Sequence, residues 1–204
     1  MSYFLTCNKF ESMNKLFLIS ITLLVLSACD KKYPIDNLPD DTTPPALTYP
    51  MASFSSTTKF IPFAGSLPSS GQCKGYDVFL TDTNQFVASA SSGIVSSVTD
   101  DAAGNSSITV KYKANSIYSM VYSGIRSVMV QVNDSINAGT LLGKVGSNRE
   151  IFFAVVKNNN EVLCPADYGS TGFNNAIQLA IDKHNANNPA DSVLSSCLAT
   201  SLPR

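Results

Sequence analysis

Val130-Gln131-Val132-Asn133-Asp134-Ser135-Ile136-Asn137-Ala138-Gly139-Thr140-Leu141-Leu142-Gly143 carries the spacing V-x-x-x-x-x-I-x-x-G-x-x-L, and residues 139–145 at its end read as a strand. Outward from it, residues 116–122 and 151–157 read as further strands, as do 76–81, 85–90, 93–99 and 106–113. All are rich in Val, Ile, Tyr and Phe, which suit a pleated, half-buried surface. The breaks between them hold Asp82-Thr83-Asn84, Ser91-Ser92-Gly93, residues 100–105 and Asn158-Asn159-Asn160, clusters that adopt turn conformations at low cost. Strands so closely spaced, without helices between them, predict an antiparallel barrel or sandwich beginning near Lys59. Residues 174–185 then read as one amphipathic helix with Ile177, Ala180, Ile181 and His184 on one face. His184 is expected to pack on the sheet. Pro189 ends the helix, and Asp191 is expected to cap a short final turn.

The ends of the chain read differently. Residues 30–50 hold five prolines and four aspartates with no apolar periodicity. Such a stretch predicts an extended tether with a reach on the order of 60 Å. The whole chain of 204 residues has a formal net charge of −1 and no basic stripe, which argues against a nucleic-acid partner. No internal repeat is present.

Leu16 to Ala28 is an apolar run too short to span a bilayer comfortably, and Met13-Asn14-Lys15 precedes it. Leu26-Ser27-Ala28-Cys29 resembles a bacterial lipobox. The resemblance implies a signal peptide over residues 1–28 with its start at Met13, and a lipid on Cys29. It further implies a membrane-tethered protein of the cell envelope facing the periplasm. The expected divisions are therefore 1–28, a tether over 29–50, a β domain over 51–168 and a helical extension over 169–204. Cys73, Cys164 and Cys197 would then lie in an oxidising compartment, where one disulfide and one free thiol are expected. Three pairings are open. Cys164–Cys197 is favoured, because it would tie the C-terminal segment to the end of the last strand.

Four ordered blocks carry a second resemblance. Phe60-Ile61-Pro62-Phe63-Ala64-Gly65 precedes Cys73-Lys74-Gly75-Tyr76-Asp77, in the place of an H-x-G-x-D motif. Val87-Ala88-Ser89-Ala90-Ser91-Ser92-Gly93-Ile94-Val95 fits V-x-A-x-x-x-G-x-V. Gly104-Asn105-Ser106-Ser107-Ile108-Thr109-Val110 and Tyr122-Ser123-Gly124-Ile125 stand for G-N-x-V and Y-A-H-L. The quoted 130–143 stretch fits V-x-x-G-D-x-V-x-x-G-Q-x-I-G, and Glu150-Ile151-Phe152-Phe153-Ala154-Val155 falls where H-L-H-F-E-V belongs. In this order the blocks resemble the LytM (lysostaphin-type) zinc metallopeptidases of peptidoglycan, whose fold implies an antiparallel barrel-sandwich hybrid. Part of the spacing also occurs in biotinyl- and lipoyl-type hybrids, but no lysine here sits on the tight hairpin those require.

The resemblance implies three metal positions, occupied here by Cys73, Asp77 and Phe152. Two proton-handling positions are occupied by Glu150 and Gly124. Cys73 and Asp77 are the candidate ligands. Phe152 has no lone pair, and two protein ligands do not make a tight zinc site. The expectation is therefore no cofactor, no catalytic residue and a shallow groove of Cys73, Asp77, Tyr122, Gly124, Glu150 and Phe152. Cys73-Lys74-Gly75-Tyr76-Asp77 also resembles the N-K-G-I-D segment of non-catalytic amidase activators. That likeness implies a binding or regulatory role toward peptidoglycan or an envelope protein such as a cell-wall hydrolase. A zinc endopeptidase with a rebuilt site and a purely structural lipoprotein are the alternatives.

Overall fold

The computed structural model describes residues 39–48, 50–51, 54–66 and 71–203. Met13, the lipobox and Cys29 lie outside them. The strands are β1 (Thr57–Ile61), β2 (Tyr76–Leu80), β3 (Phe86–Ala88), β4 (Gly93–Asp100), β5 (Ser106–Lys111) and β6 (Tyr118–Arg126). They continue with β7 (Ser135–Ile136), β8 (Leu141–Val145), β9 (Glu150–Lys157), β10 (Glu161–Leu163) and β11 (Ser201–Pro203). One helix, α1 (Thr171–Asn187), lies between β10 and β11. Among the described residues no helix is long and apolar enough to cross a membrane.

All seven strands expected from sequence are present, and the fold is mainly β with a C-terminal helix. Alternation is clearest in β5, while β2 and β9 are buried at most positions. In β5, Ser106, Ile108 and Val110 are buried, while Ser107, Thr109 and Lys111 are partly exposed. The turn before β5 is closed by Asp101, whose carboxylate accepts from the Ala103 and Asn105 amides at 2.8 Å each. Asn158 and Asn159, at φ 51° and 58°, turn β9 into β10, and the Asn160 amide donates back to the Lys157 carbonyl at 3.2 Å. The strands absent from the sequence reading include β7, β10 and β11, each of two or three residues, too short to show a period.

The sheet is antiparallel, in the order β1-β2-β9-β6-β5-β4-β7. β8 joins β3 to β6, and β10 joins β11 to β9. It does not close into a barrel, which corrects the barrel part of the expectation. At one end β7 pairs over two residues only. At the other, β1 meets a helix instead of a strand. Asn187 and Asn188 of the helix end donate to the Thr57 and Thr58 carbonyls, and His184 accepts the Phe60 amide proton at 3.1 Å. These side chains occupy backbone groups that a closing strand would have used.

One face of the sheet is the core. Tyr76, Ile108, Val110, Met120, Tyr122, Phe153 and Val155 are buried there with Phe173, Ile177 and Ile181 of α1. Phe153 packs against both Tyr122 and Phe173, with ring centroids 5.1 and 6.1 Å apart. The helix is thus part of the domain's core, and the expected boundary between residues 168 and 169 does not divide two units. α1 starts earlier than predicted because Ser170 caps it, accepting from the Phe173 amide. Asp191 does not cap the turn Pro189–Asp191, whose N-cap is Asn188. Its carbonyl is instead bound by His184 Nε2.

The tether is also shorter than expected. Residues 39–48 and 50–51 lie along the domain. Asp41 pairs with Lys113 at 2.6 Å. Leu47 is fully buried and exchanges backbone hydrogen bonds with Tyr168 and Ser170. The segment shows no periodicity because isolated anchors, Leu47 and Met51, hold the strap without any repeat.

Candidate functional site

The opposite face of the sheet carries the positions singled out by the resemblance. Asp77 on β2, Phe152 on β9 and Ser123 on β6 are successive cross-strand partners. They form one row on the face away from the core. Ser107 on β5 extends it, its hydroxyl bonded to that of Ser123 at 2.7 Å. Glu150 lies two residues before Phe152 and so stands diagonal to Asp77 on the same face. Lys59 on β1 sits over the Phe79 ring at 5.7 Å, beside this pair. Cys73 closes the site from the loop before β2. Its amide donates to the Gly65 carbonyl, and its thiol to the Gly75 carbonyl at 3.3 Å.

Burial dominates the electrostatics. Asp77 is 7% exposed, and its Oδ1 has no hydrogen-bond partner among the described residues. Burial, then the neighbouring Glu150 carboxylate, push its carboxyl up to about 8, and Lys59 offsets this only in part. Burial, then the charge of Asp77, push the Cys73 thiol up to about 12. Cys73 is therefore a protonated, inward-held thiol at neutral pH and not an activated nucleophile.

The donor set does not fit the zinc that this type of domain implies. Among the described residues no group of three or more His, Cys, Asp and Glu could hold a metal ion. The Phe152 ring lies against Gly75, where any side chain on residue 75 would collide with that ring and with the Phe153 carbonyl. Gly124 is equally constrained. It has φ +82°, and a side chain there would run into the Glu150 carbonyl oxygen. The β6 backbone thus approaches β9 where a histidine would have to project.

Of the expected groove residues, the structure brings Asp77, Glu150 and Phe152 together, with Cys73 beneath them and Gly124 at the side. Tyr122 does not belong to the groove. It is fully buried on the core face, and its hydroxyl accepts the Ala90 amide proton at 2.7 Å. Ser123 takes its place on the open face, and Ser107 joins it. The signal for both was in β6 itself, where Tyr118, Met120 and Tyr122 alternate with Ser119, Val121 and Ser123. Cys164 and Cys197 form the expected disulfide, with Cα atoms 6.0 Å apart, and Cys73 is a free, buried cysteine. His184 lies in α1, away from this row.

Residues 71–163 match the model of Peptidase family M23. No curated protein sequence matches the chain. A chain of the SpoIIQ–SpoIIIAH pore-forming complex is similar at 18% identity and a TM-score of 0.52, over 67% of this chain and 98% of that one. Csd3 of Helicobacter pylori is similar at 18% identity and a TM-score of 0.50, over 71% of this chain and 41% of that one. At this identity the two structures speak for the fold alone. The row of replaced positions lies within the matched residues 71–163, and this part of the chain is similar to peptidase family M23, the LytM type.

Proposed function

We propose that this protein is a lipid-anchored, periplasm-facing envelope protein whose LytM-type domain binds a partner and does not cut. The observation that carries this reading is Phe152, which takes the third ligand position and fills it with a ring packed on Gly75. A Lewis acid needs that lone pair and an open coordination position. What remains is a half-exposed row of Phe152, Ser123, Ser107 and Glu150, which offers contact area and hydrogen bonds. The partner would be a peptidoglycan hydrolase, another envelope component or peptidoglycan itself. The similar fold in the SpoIIQ–SpoIIIAH complex supports a role in assembly. Anchoring rests on the lipobox at Cys29.

The test is metal content of the purified chain after zinc exposure and dialysis, together with peptidoglycan digestion. No retained zinc and no cleavage are expected. About one zinc per chain with cleavage would instead establish a peptidase rebuilt around Cys73, Asp77 and Glu150. Cross-linking in envelope fractions then identifies the partner. If it captures none, the purely structural reading gains.

A further inference from the structure

β6 carries a second polar feature on the same face as Ser123, four residues away at Ser119. A cleft of about 460 Å³ opens there, and Ser96, Thr109, Lys111, Ser119, Asn158 and Asp40 contribute to its wall. Lys111 and Ser119 are cross-strand partners on β5 and β6, and Asn158 enters from the β9–β10 turn. Asp40 enters from the N-terminal strap. At about 3.3 Å per residue, Ser119 is on the order of 13 Å from Ser123, so the cleft is distinct from the Asp77 row.

Ser119 is only 9% exposed, yet its hydroxyl has no hydrogen-bond partner among the described residues. Among the described residues the fully buried, unbonded side-chain atoms are Asp77 Oδ1, Gln85 Oε1 and Arg126 Nε, so the Ser119 hydroxyl keeps access to the cleft. The Thr109 hydroxyl and the Lys111 ammonium beside it also lack partners among the described residues. The volume lies in the range of small-ligand sites.

We propose that this cleft binds a neutral, polyhydroxylated ligand of the sugar class. Each sugar hydroxyl both donates and accepts a hydrogen bond, and the wall is mixed in the same way. The Lys111 ammonium only donates and the Asp40 carboxylate only accepts, while Ser119, Thr109 and Asn158 do both. A simple anion would meet the Asp40 carboxylate and leave the acceptors unused. An extended peptide would seek a sheet edge, but this cleft lies on a sheet face whose apolar lining is Ile117. The proposal stands whatever the fate of zinc at Asp77.

The experiment is titration of the full chain with an N-acetylglucosamine tetramer, read by backbone amide NMR shifts. Saturable shifts are expected at Thr109, Lys111, Ser119 and Asn158. Thr109→Val and Ser119→Ala should each weaken binding about tenfold, the loss of one or two hydrogen bonds. Thr109→Val keeps a strand-favouring residue, so its fold is retained. Asp77→Asn should leave binding unchanged. The proposal is overturned by no shift up to about 10 mM, the weak limit of specific recognition. It is equally overturned by shifts that inorganic phosphate alone reproduces, or by shifts centred on the Asp77 row that Asp77→Asn removes.

Discussion

Asp77 shows how a position can outlive its partners. Its carboxyl is buried, with one oxygen unbonded among the described residues and Glu150 diagonal to it. In the unfolded chain it titrates near 3.8, whereas in the fold it is pushed up to about 8. The folded state therefore holds a proton that the unfolded chain releases across this window. For this group, stability is greatest below about pH 4 and falls as pH rises toward 8. Asp77→Asn removes the penalty. The variant is expected to be more stable than the native chain at pH 8, by a margin that shrinks as pH falls and vanishes near pH 4. Urea unfolding at both pH values checks this. An Asn variant that is less stable at pH 8 would mean that the ionised carboxylate has a partner after all.

The joint between α1 and β1 rests on His184, buried at 1% exposure. The Phe60 amide donates to Nδ1, so the ring proton sits on Nε2 and is donated to the Asp191 carbonyl. One imidazole thus links the sheet edge, the helix and the chain leaving the helix. His184→Ala is expected to cost about 2–3 kcal/mol, because the buried Phe60 amide loses its partner and the buried ring leaves a cavity. Hydrogen exchange at the Phe60 amide should quicken accordingly, whereas a change confined to α1 would contradict the edge-covering role. The sequence placed His184 on the packed face of the helix, and that placement holds. Its partners were not legible, since Phe60 and Asp191 reach it only through the packing of α1 along β1.

Two devices hold the molecule together beyond the sheet. The Cys164–Cys197 bridge closes a loop with a sequence separation of 33. It ties the segment before β11 to the end of β10. Cys197→Ser is expected to lower stability by about 3–4 kcal/mol, the entropy of a loop of that length. Comparing oxidised and reduced native chain gives the same measurement. The strap from Pro39 is the second device. Leu47→Ala is expected to cost about 2–4 kcal/mol by emptying a fully buried site, and the thermal midpoint will show it. An unchanged midpoint would return this segment to the tether.

The Val, Ile, Tyr and Phe content of β2, β4, β5 and β9, the turn clusters between them and the 130–143 spacing were enough to read a mainly β domain with a terminal helix. They also served to assemble Asp77, Glu150 and Phe152 through the resemblance they carry. Local sequence holds this information because strand periodicity and turn chemistry act over a few residues. Which tyrosine faces the core, why residue 124 must be glycine, how Leu47 anchors a strap and why the sheet stays open were decided by the tertiary structure. Each depends on backbone approach or burial between segments distant in the chain. The Gly124 backbone against Glu150, Leu47 against Tyr168 and Ser170, and His184 against Phe60 are contacts that no local pattern encodes.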